Sequence, residues 1–260
     1  MIRFTAIALL LFASPALAKS GACPPVGAWL DAVSERVVPA DQALARLAEA
    51  DVILLGERHG FPDVHLWQAT TAAMIGARRG KAQYAYEMLP RAAQPALDAW
   101  ALGRTSRAAF LAAANWPAVW GFPADAYDPI LRLPRLQAAP AIALNVEREL
   151  VRRVGRDGWA AVPVADRSGL GDPAPASPAY RARLDAVFDL KTAGAAPGFA
   201  ERHGETADAA AEPATMRARF VEAQLVWDRA FGEGIAAGLA ARPGLPVIAF
   251  MGSGHVEYGH

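Results

Sequence analysis

Short apolar runs, separated by longer segments with helical periodicity, dominate this sequence. Four runs have the length of buried strands, and they cover residues 52–55, 83–88, 141–145 and 247–251. Between them, apolar residues recur three and four positions apart, which predicts amphipathic helices. These helices cover residues 40–50, 63–79, 91–114 with a break at Gly103, 128–138, 147–154, 180–190 and 213–241. Asp63 is the expected N-cap of the second helix.

This alternation of strands and helices predicts an α/β fold. Strands that alternate with helices form a mainly parallel sheet flanked by helices on both faces, and residues 52–88 predict a right-handed strand–helix–strand unit. The helices that follow the second strand predict a helical subdomain, or cap, over about residues 91–138. Residues from about 163 to 211 contain long Gly-, Pro- and Ala-rich stretches, which predicts a flexible loop region.

The first 18 residues have the pattern of a secretory signal peptide. Arg3 gives a positive start, residues 6–12 are apolar, and Ala16-Leu17-Ala18 is a small-x-small cleavage site. We therefore expect an exported mature chain, residues 19–260, that folds as a single domain. The one cysteine, Cys23, follows a run of small residues, which leaves two alternatives: a lipid anchor on Cys23, or ordinary cleavage after Ala18.

Charge and hydropathy exclude two kinds of partner. Lys plus Arg total 26 and Asp plus Glu total 26, so the sequence lacks the basic excess of a nucleic-acid binder. Beyond the leader, every apolar run is shorter than the roughly 20 residues that span a membrane, so we expect no transmembrane helix.

Polar residues follow all four predicted strands, at the ends where a parallel sheet places its ligand sites. Gly-x-x-His motifs at residues 56–59 and 252–255 follow the first and last strands. The polar residues at the four strand ends are Glu57, His59, Glu87, Asn145, Glu147 and His255. Such a set of histidines and glutamates can bind a divalent metal or act as general acids and bases. The structural alternative is that Glu57 and Glu147 pair with neighbouring arginines at the surface.

The helix over residues 213–241 carries two further polar candidates. Gln224 lies on an apolar face with Phe220 and Trp227, and Asp228 follows one turn later. Buried amide and carboxylate groups need hydrogen-bond partners, and we expect the strand-end histidines to provide them. The alternative is that Asp228 caps a helix or pairs with an arginine.

Two other residues are expected to have structural roles. His65 lies close to Trp67 on the helix over residues 63–79, and we expect it to be an ordinary surface residue. Tyr127, at the start of a helix, is expected in the core.

Six short motifs occur in series along the chain: Leu54–His59, Tyr86–Met88, Gln94–Asp98, Ala143–Arg148, Glu222–Asp228 and Met251–Val256. In order and spacing they resemble the ChaN-like haem-binding uptake family of the Tiki superfamily, over about residues 23–260. Several motifs in series are more specific than any single one. Members of this family usually continue past the last motif into a further helix, whereas this sequence ends at His260.

The resemblance implies an exported protein, often a lipoprotein, that binds haem and takes part in haem or iron uptake. It implies an α/β core with a helical subdomain, and haem bound between two subunits through tyrosine and histidine. Tyr180 and His203 are the candidate haem ligands by position and chemistry. Our first hypothesis is therefore a homodimeric haem-binding protein of the periplasm that works with outer-membrane haem-uptake machinery.

The wider superfamily includes hydrolases that use glutamates and Gly-x-x-His elements, which gives an alternative hypothesis. In a metal-dependent hydrolase, Gln224 and Asp228 would orient the residues that hold the ion. Those metal-holding or catalytic residues would be Glu57, His59, Glu87 and His255. A third hypothesis is a structural lipoprotein in which the polar strand ends satisfy one another.

Overall fold

The computed structural model describes residues 24–193 and 212–257. The leader, Cys23 and His203 lie outside these ranges. The chain divides into two units, residues 1–43 and 44–260. In the first unit, β1 (Trp29–Asp31) and β2 (Arg36–Val38) form a two-stranded antiparallel sheet, which the sequence pattern did not predict. Helix α1 (Ala40–Glu49) begins in the first unit and continues into the second.

The second unit contains a four-stranded sheet in which all neighbouring strands are parallel. Its strands are β3 (Val52–Glu57), β4 (Gln83–Pro90), β5 (Ala141–Asn145) and β6 (Val247–Gly252), in the order β3-β6-β4-β5. The predicted α/β fold with a mainly parallel sheet is confirmed. The last strand in sequence, β6, lies between β3 and β4, so it brings the two Gly-x-x-His motifs onto neighbouring strands.

Helices surround the sheet and connect its strands. Helix α2 (Pro62–Arg79) leads from β3 to β4, and five short helices lie between β4 and β5 in the region of the predicted helical cap. These five are α3 (Gln94–Ala101), α4 (Arg107–Ala113), α5 (Trp116–Val119), α6 (Ala124–Leu131) and α7 (Leu133–Leu136). Helices α8 (Arg148–Asp157), α9 (Pro178–Thr192) and α10 (Pro213–Ala241) follow β5. No described helix is long and apolar enough to cross a membrane.

Burial along the strands follows from the strand order. Every residue of β4 and β6 is buried, because helices cover both faces of a central parallel strand. The edge strand β3 alternates instead: Val52 and Leu54 are exposed, whereas Ile53, Leu55 and Glu57 are buried. A carboxylate therefore ends a strand on its buried face, where an apolar side chain would normally lie.

Helix α2 begins one residue earlier than expected, and this changes the role of Asp63. Pro62 starts the helix and Phe61 is the N-cap residue, with no side-chain cap. Proline suits this first position because its missing N–H would have no partner within the helix. The prediction that Asp63 is the N-cap was wrong. Asp63 lies in the first turn, where a carboxylate interacts favourably with the helix dipole.

Candidate functional site

Glu57, at the carboxyl end of β3, lies between two imidazole rings. Nδ1 of His59 donates to Oε1 of Glu57 at 2.6 Å, and Nδ1 of His65 lies 2.7 Å from Oε2 of Glu57. Burial alone would raise the pKa of Glu57, but the bonds from both histidines outweigh burial and lower it. Glu57 is therefore a buried carboxylate held between two histidines, and the surface pairing with an arginine that we gave as an alternative is wrong.

His65 is fully buried, so the expectation that it lies on the surface is wrong. It lies on the first turn of α2, which follows the end of β3 after a four-residue connection. Nδ1 of His65 is also 3.2 Å from Oε1 of Gln68, whose amide donates to the Leu55 carbonyl at 2.7 Å. The ring packs against Tyr127 with centroids 4.0 Å apart. Side chains of α2 thus face the end of the neighbouring strand at this turn.

Tyr127 is fully buried, as expected, and it also takes part in the site. Its hydroxyl accepts from the Gly60 N–H at 3.0 Å and lies 3.5 Å from Oε1 of Glu57. Burial and the charge of Glu57 raise the pKa of Tyr127 well above its usual value. Trp120 and Phe122 complete an aromatic wall around His59, with ring centroids 4.8 Å and 5.5 Å from its imidazole.

A second imidazole, that of His255, is held in the same way by a carboxylate. Its Nδ1 donates to Oδ1 of Asp228 at 2.7 Å, and the hydroxyl of Tyr180 donates to Oδ2 of Asp228, also at 2.7 Å. The structure contains the expected pairing of Asp228 with a strand-end histidine, which is His255. It also connects Tyr180, on α9, to the site, which spacing along the sequence could not indicate.

Glu87 lies between the two histidines, in a stretch where the pairing of β4 with β5 changes register. Its Oε2 accepts from the Gly252 N–H at 2.5 Å, and its Oε1 is 3.9 Å from Nε2 of His255. Irregular pairing of this kind turns a side chain away from its regular direction. Asn145, on β5, donates to the Glu87 carbonyl at 2.8 Å.

Both glycines that open the Gly-x-x-His motifs lie where another group approaches closely. A Cβ on Gly252 would lie 3.0 Å and 3.1 Å from Cε1 and Nε2 of His59. A Cβ on Gly56 would lie 2.9 Å from a methyl group of Val256. Each motif therefore needs glycine at this position. His59 of the first motif occupies the space of a side chain at Gly252, and Val256, directly after the second motif, occupies it at Gly56.

Both motif histidines hold a proton more firmly than a free imidazole. Burial would lower the pKa of each, but the hydrogen bond that His59 donates to Glu57 raises the pKa of His59, and the one that His255 donates to Asp228 raises the pKa of His255. The charge of Glu87 raises both further. Each Nδ1 donates to a carboxylate, and this bond fixes the orientation of the ring.

These groups surround a cavity of about 210 Å³ at the carboxyl ends of β3, β6 and β4. Gln224 lines it, as does Asn145, whereas Glu147 is exposed and lies outside it. Sequence reasoning did not identify Val119, Trp120, Val187, Lys191 or Arg148 as part of the site. The full lining is His59, Glu87, Val119, Trp120, Asn145, Arg148, Val187, Lys191, Gln224, Trp227, Gly252, Gly254 and His255.

The candidate haem ligands and metal residues have different outcomes. The hydroxyl of Tyr180 bonds to Asp228, which in turn bonds to His255 in the cavity lining. His203 falls outside the described residues. Within residues 24–193 and 212–257, no group of three or more His, Cys, Asp or Glu is arranged to hold a metal ion. Oxygens of Glu57 and Asp228 are already bonded to imidazole nitrogens. The metal-dependent alternative therefore has no support from these residues.

The fold and site define a class of protein: an α/β protein with an open parallel sheet and a cavity of carboxylate-held imidazoles at the strand ends. Residues 43–260 match the family described as haem-binding uptake, Tiki superfamily, ChaN. The chain belongs to this family, and the resemblance seen in its motifs is confirmed.

One similar solved structure is described as cofacial haem binding to ChaN of Campylobacter jejuni. It is 19% identical, and the match covers 86% of this chain and 78% of that chain with a TM-score of 0.59. At this identity the likeness shows a shared fold. A comparison with curated proteins found no match.

Proposed function

We propose that this protein binds haem and takes part in haem uptake. The observation that carries the proposal is membership of the haem-binding uptake family over residues 43–260. The similar structure from Campylobacter jejuni supports it, because that protein is described as binding haem cofacially.

The size of the polar cavity bears on where the porphyrin lies. Pockets that enclose small-molecule ligands have volumes of roughly 300–1,000 Å³, and this cavity has about 210 Å³. A porphyrin is too large for it, so we infer that the macrocycle binds outside this cavity. A second subunit would cover the other face of such a haem, which supports the homodimer expected from the family.

Tyr180 is our proposed iron ligand. Among the tyrosines in the described ranges, Tyr84, Tyr86 and Tyr127 are fully buried, whereas Tyr180 is half-buried on α9. Burial and the charge of Asp228 raise the pKa of Tyr180, so without haem its phenol keeps its proton. Coordination therefore releases that proton beside a carboxylate that already accepts from the hydroxyl. A tyrosine ligand suits ferric haem.

The remaining parts of the proposal rest on sequence. His203 is the proposed second ligand. The leader supports export to the periplasm, where outer-membrane haem-uptake machinery would be the partner. The mass of the mature protein separates the two processing routes, because cleavage after Ala18 and lipid attachment at Cys23 give different products.

Absorbance titration with hemin tests the iron ligand. Tyr180→Phe removes one oxygen and keeps the ring packed with Leu184 and Phe220, so the fold is preserved. We expect it to lose the tyrosinate charge-transfer band and to bind hemin more weakly. Asp228→Asn removes the carboxylate beside Tyr180 but keeps the hydroxyl, so it should retain that band. A Tyr180→Phe spectrum identical to that of the wild type would show that another residue binds the iron.

A further inference from the structure

A second and larger cleft lies at the opposite end of the parallel sheet. Its volume is about 790 Å³, which is within the range of roughly 300–1,000 Å³ that encloses small-molecule ligands. Ala141, the first residue of β5, lines this cleft, so it lies at the amino end of that strand. Helices α3 and α7, the turn after α3 and the residue after α10 form the rest of its wall. The cleft shares no lining residue with the polar cavity at the carboxyl ends of the strands.

Three arginines and one carboxylate give this cleft a net positive charge. Arg104, Arg135 and Arg242 line it. The carboxylate is that of Asp98, which accepts from the Gln94 amide at 2.8 Å. Within residues 24–193 and 212–257, none of the three arginines forms an ion pair with Asp or Glu, whereas most of the other arginines there do. Because a cleft lined by charges of one sign attracts ligands of the opposite sign, these guanidinium groups favour an anion.

The protein holds two of these three guanidinium groups in place. Arg135 donates to the Thr105 carbonyl at 2.9 Å and lies over the ring of Trp100, 4.8 Å from its centroid. Arg242 donates to Oε1 of Gln83, the first residue of β4, at 3.3 Å. A guanidinium group has five N–H donors, so both arginines keep donors for a ligand. Groups that are already positioned lose less conformational entropy when a ligand binds.

Arg104 is the third cation, and its side chain makes no hydrogen bond within the described ranges. It follows Gly103, which has a φ of +70° in the turn after α3. A Cβ at Gly103 would lie 3.9 Å from the guanidinium carbon of Arg135. The backbone of Arg104 is therefore close to Arg135, and its long side chain can reach an anion bound there.

The remainder of the lining is mostly apolar. Leu102 follows the last turn of α3 and is 62% exposed, and alanines with Pro140 continue the apolar wall. An inorganic anion would leave this wall in contact with water, whereas the apolar body of an organic anion would cover it. The lining therefore suits a molecule that has both an apolar body and more than one negative charge.

We propose that this cleft binds a small organic anion with two negative charges and an apolar ring or chain. Arg104, Arg135 and Arg242 pair with its anionic groups, and Leu102 packs against its apolar body. Phosphate monoesters and dicarboxylates share this chemistry, and the oxygens of both match the fork of a guanidinium group. The proposal is independent of haem binding, because the cleft and the polar cavity lie at opposite ends of the sheet.

Isothermal titration calorimetry of the full-length protein at low ionic strength tests this site with four compounds. Phenyl phosphate and phthalate each have a ring and two negative charges, and together they distinguish a phosphate ester from a dicarboxylate. Benzoate keeps the ring but has a single charge, whereas inorganic phosphate keeps the anionic group without the ring.

Two substitutions remove separate parts of the site. Arg104→Gln removes one cation whose side chain has no hydrogen bond in the described part of the chain, and Leu102→Ser removes an exposed apolar side chain, so both variants should fold. Arg78→Gln is the matched control, because it removes the same charge at an exposed arginine of α2 outside the cleft. Thermal unfolding of each variant checks that it is folded.

We expect the wild type to bind phenyl phosphate or phthalate about tenfold more tightly than benzoate and inorganic phosphate, since each control compound lacks one of the two features. Arg104→Gln should weaken binding of the preferred compound about fivefold to tenfold. Leu102→Ser should weaken it about threefold and leave inorganic phosphate unaffected, whereas Arg78→Gln should change neither. Equal affinity for all four compounds, no binding of any of them, or equal effects of Arg104→Gln and Arg78→Gln would overturn the site.

Discussion

Replacing Glu57 by glutamine tests whether a buried, charged carboxylate organises the site. Glu57 is 3% exposed, its Oε1 accepts from Nδ1 of His59 at 2.6 Å, and its Oε2 lies 2.7 Å from Nδ1 of His65. Hydrogen bonds to a charged group contribute about 1.5–3 kcal/mol each. The glutamine amide is uncharged and has a single acceptor oxygen, so the variant keeps only part of the energy of one such bond. We therefore expect Glu57→Gln to lower the free energy of unfolding by about 2–4 kcal/mol, below the cost of leaving a buried ion entirely unpaired.

Urea unfolding at neutral pH, followed by circular dichroism, measures this difference. Glu147→Gln is the matched control, because it is the same substitution at an exposed strand-end glutamate and should change the stability by less than about 0.5 kcal/mol. The pKa of Glu57 is lowered in the folded state, so its contribution is complete above the ordinary value of 4.5 and is lost as pH falls through the folded-state pKa. A Glu57→Gln variant as stable as Glu147→Gln at neutral pH would refute this reasoning.

Two further predictions concern the motif glycines and histidines. Gly252→Ala places a Cβ about 3 Å from the His59 ring and should destabilise the protein by about 1–3 kcal/mol in urea unfolding. Gly254→Ala, which meets nothing within 4 Å, should not, and equal costs would contradict the close approach. The pKa values of His59 and His255 are raised, so their contribution is complete below about pH 6.5 and is lost as pH rises through the folded-state values. His255→Gln should flatten this alkaline decline in a pH series of melting temperatures, and an unchanged slope would count against it.

Much of the fold could be predicted from the sequence because apolar runs and helical periodicity directly reflect burial. The four strands of the parallel sheet were found in this way, and the polar residues that follow them do meet around one cavity. The position of β6 between β3 and β4 could not be predicted, because periodicity carries no information about strand order. Yet this order is what brings Gly252 and His255 next to His59 and Glu87.

The details of the site were harder to predict than its place. His65 looks like a surface residue because its neighbours are mixed in polarity, but the first turn of α2 faces the end of β3 and buries it. Glu147 resembles Glu57 in sequence context, yet it precedes a helix at the surface. Tyr180 and Asp228 are 48 positions apart, and only tertiary packing of α9 on α10 joins them. Arg148 begins the helix that follows β5, and this position close to a strand end was a sequence signal that it could belong to the site.

Absorbance titration of the purified, full-length wild type with hemin tests the central claim most directly. Our account predicts a saturable shift of the Soret band, together with the tyrosinate charge-transfer band of ferric haem bound through tyrosine. It also predicts that hemin increases the dimer fraction in analytical ultracentrifugation, because haem lies between two subunits. No saturable Soret shift at hemin concentrations in excess of the protein would contradict haem binding by this chain.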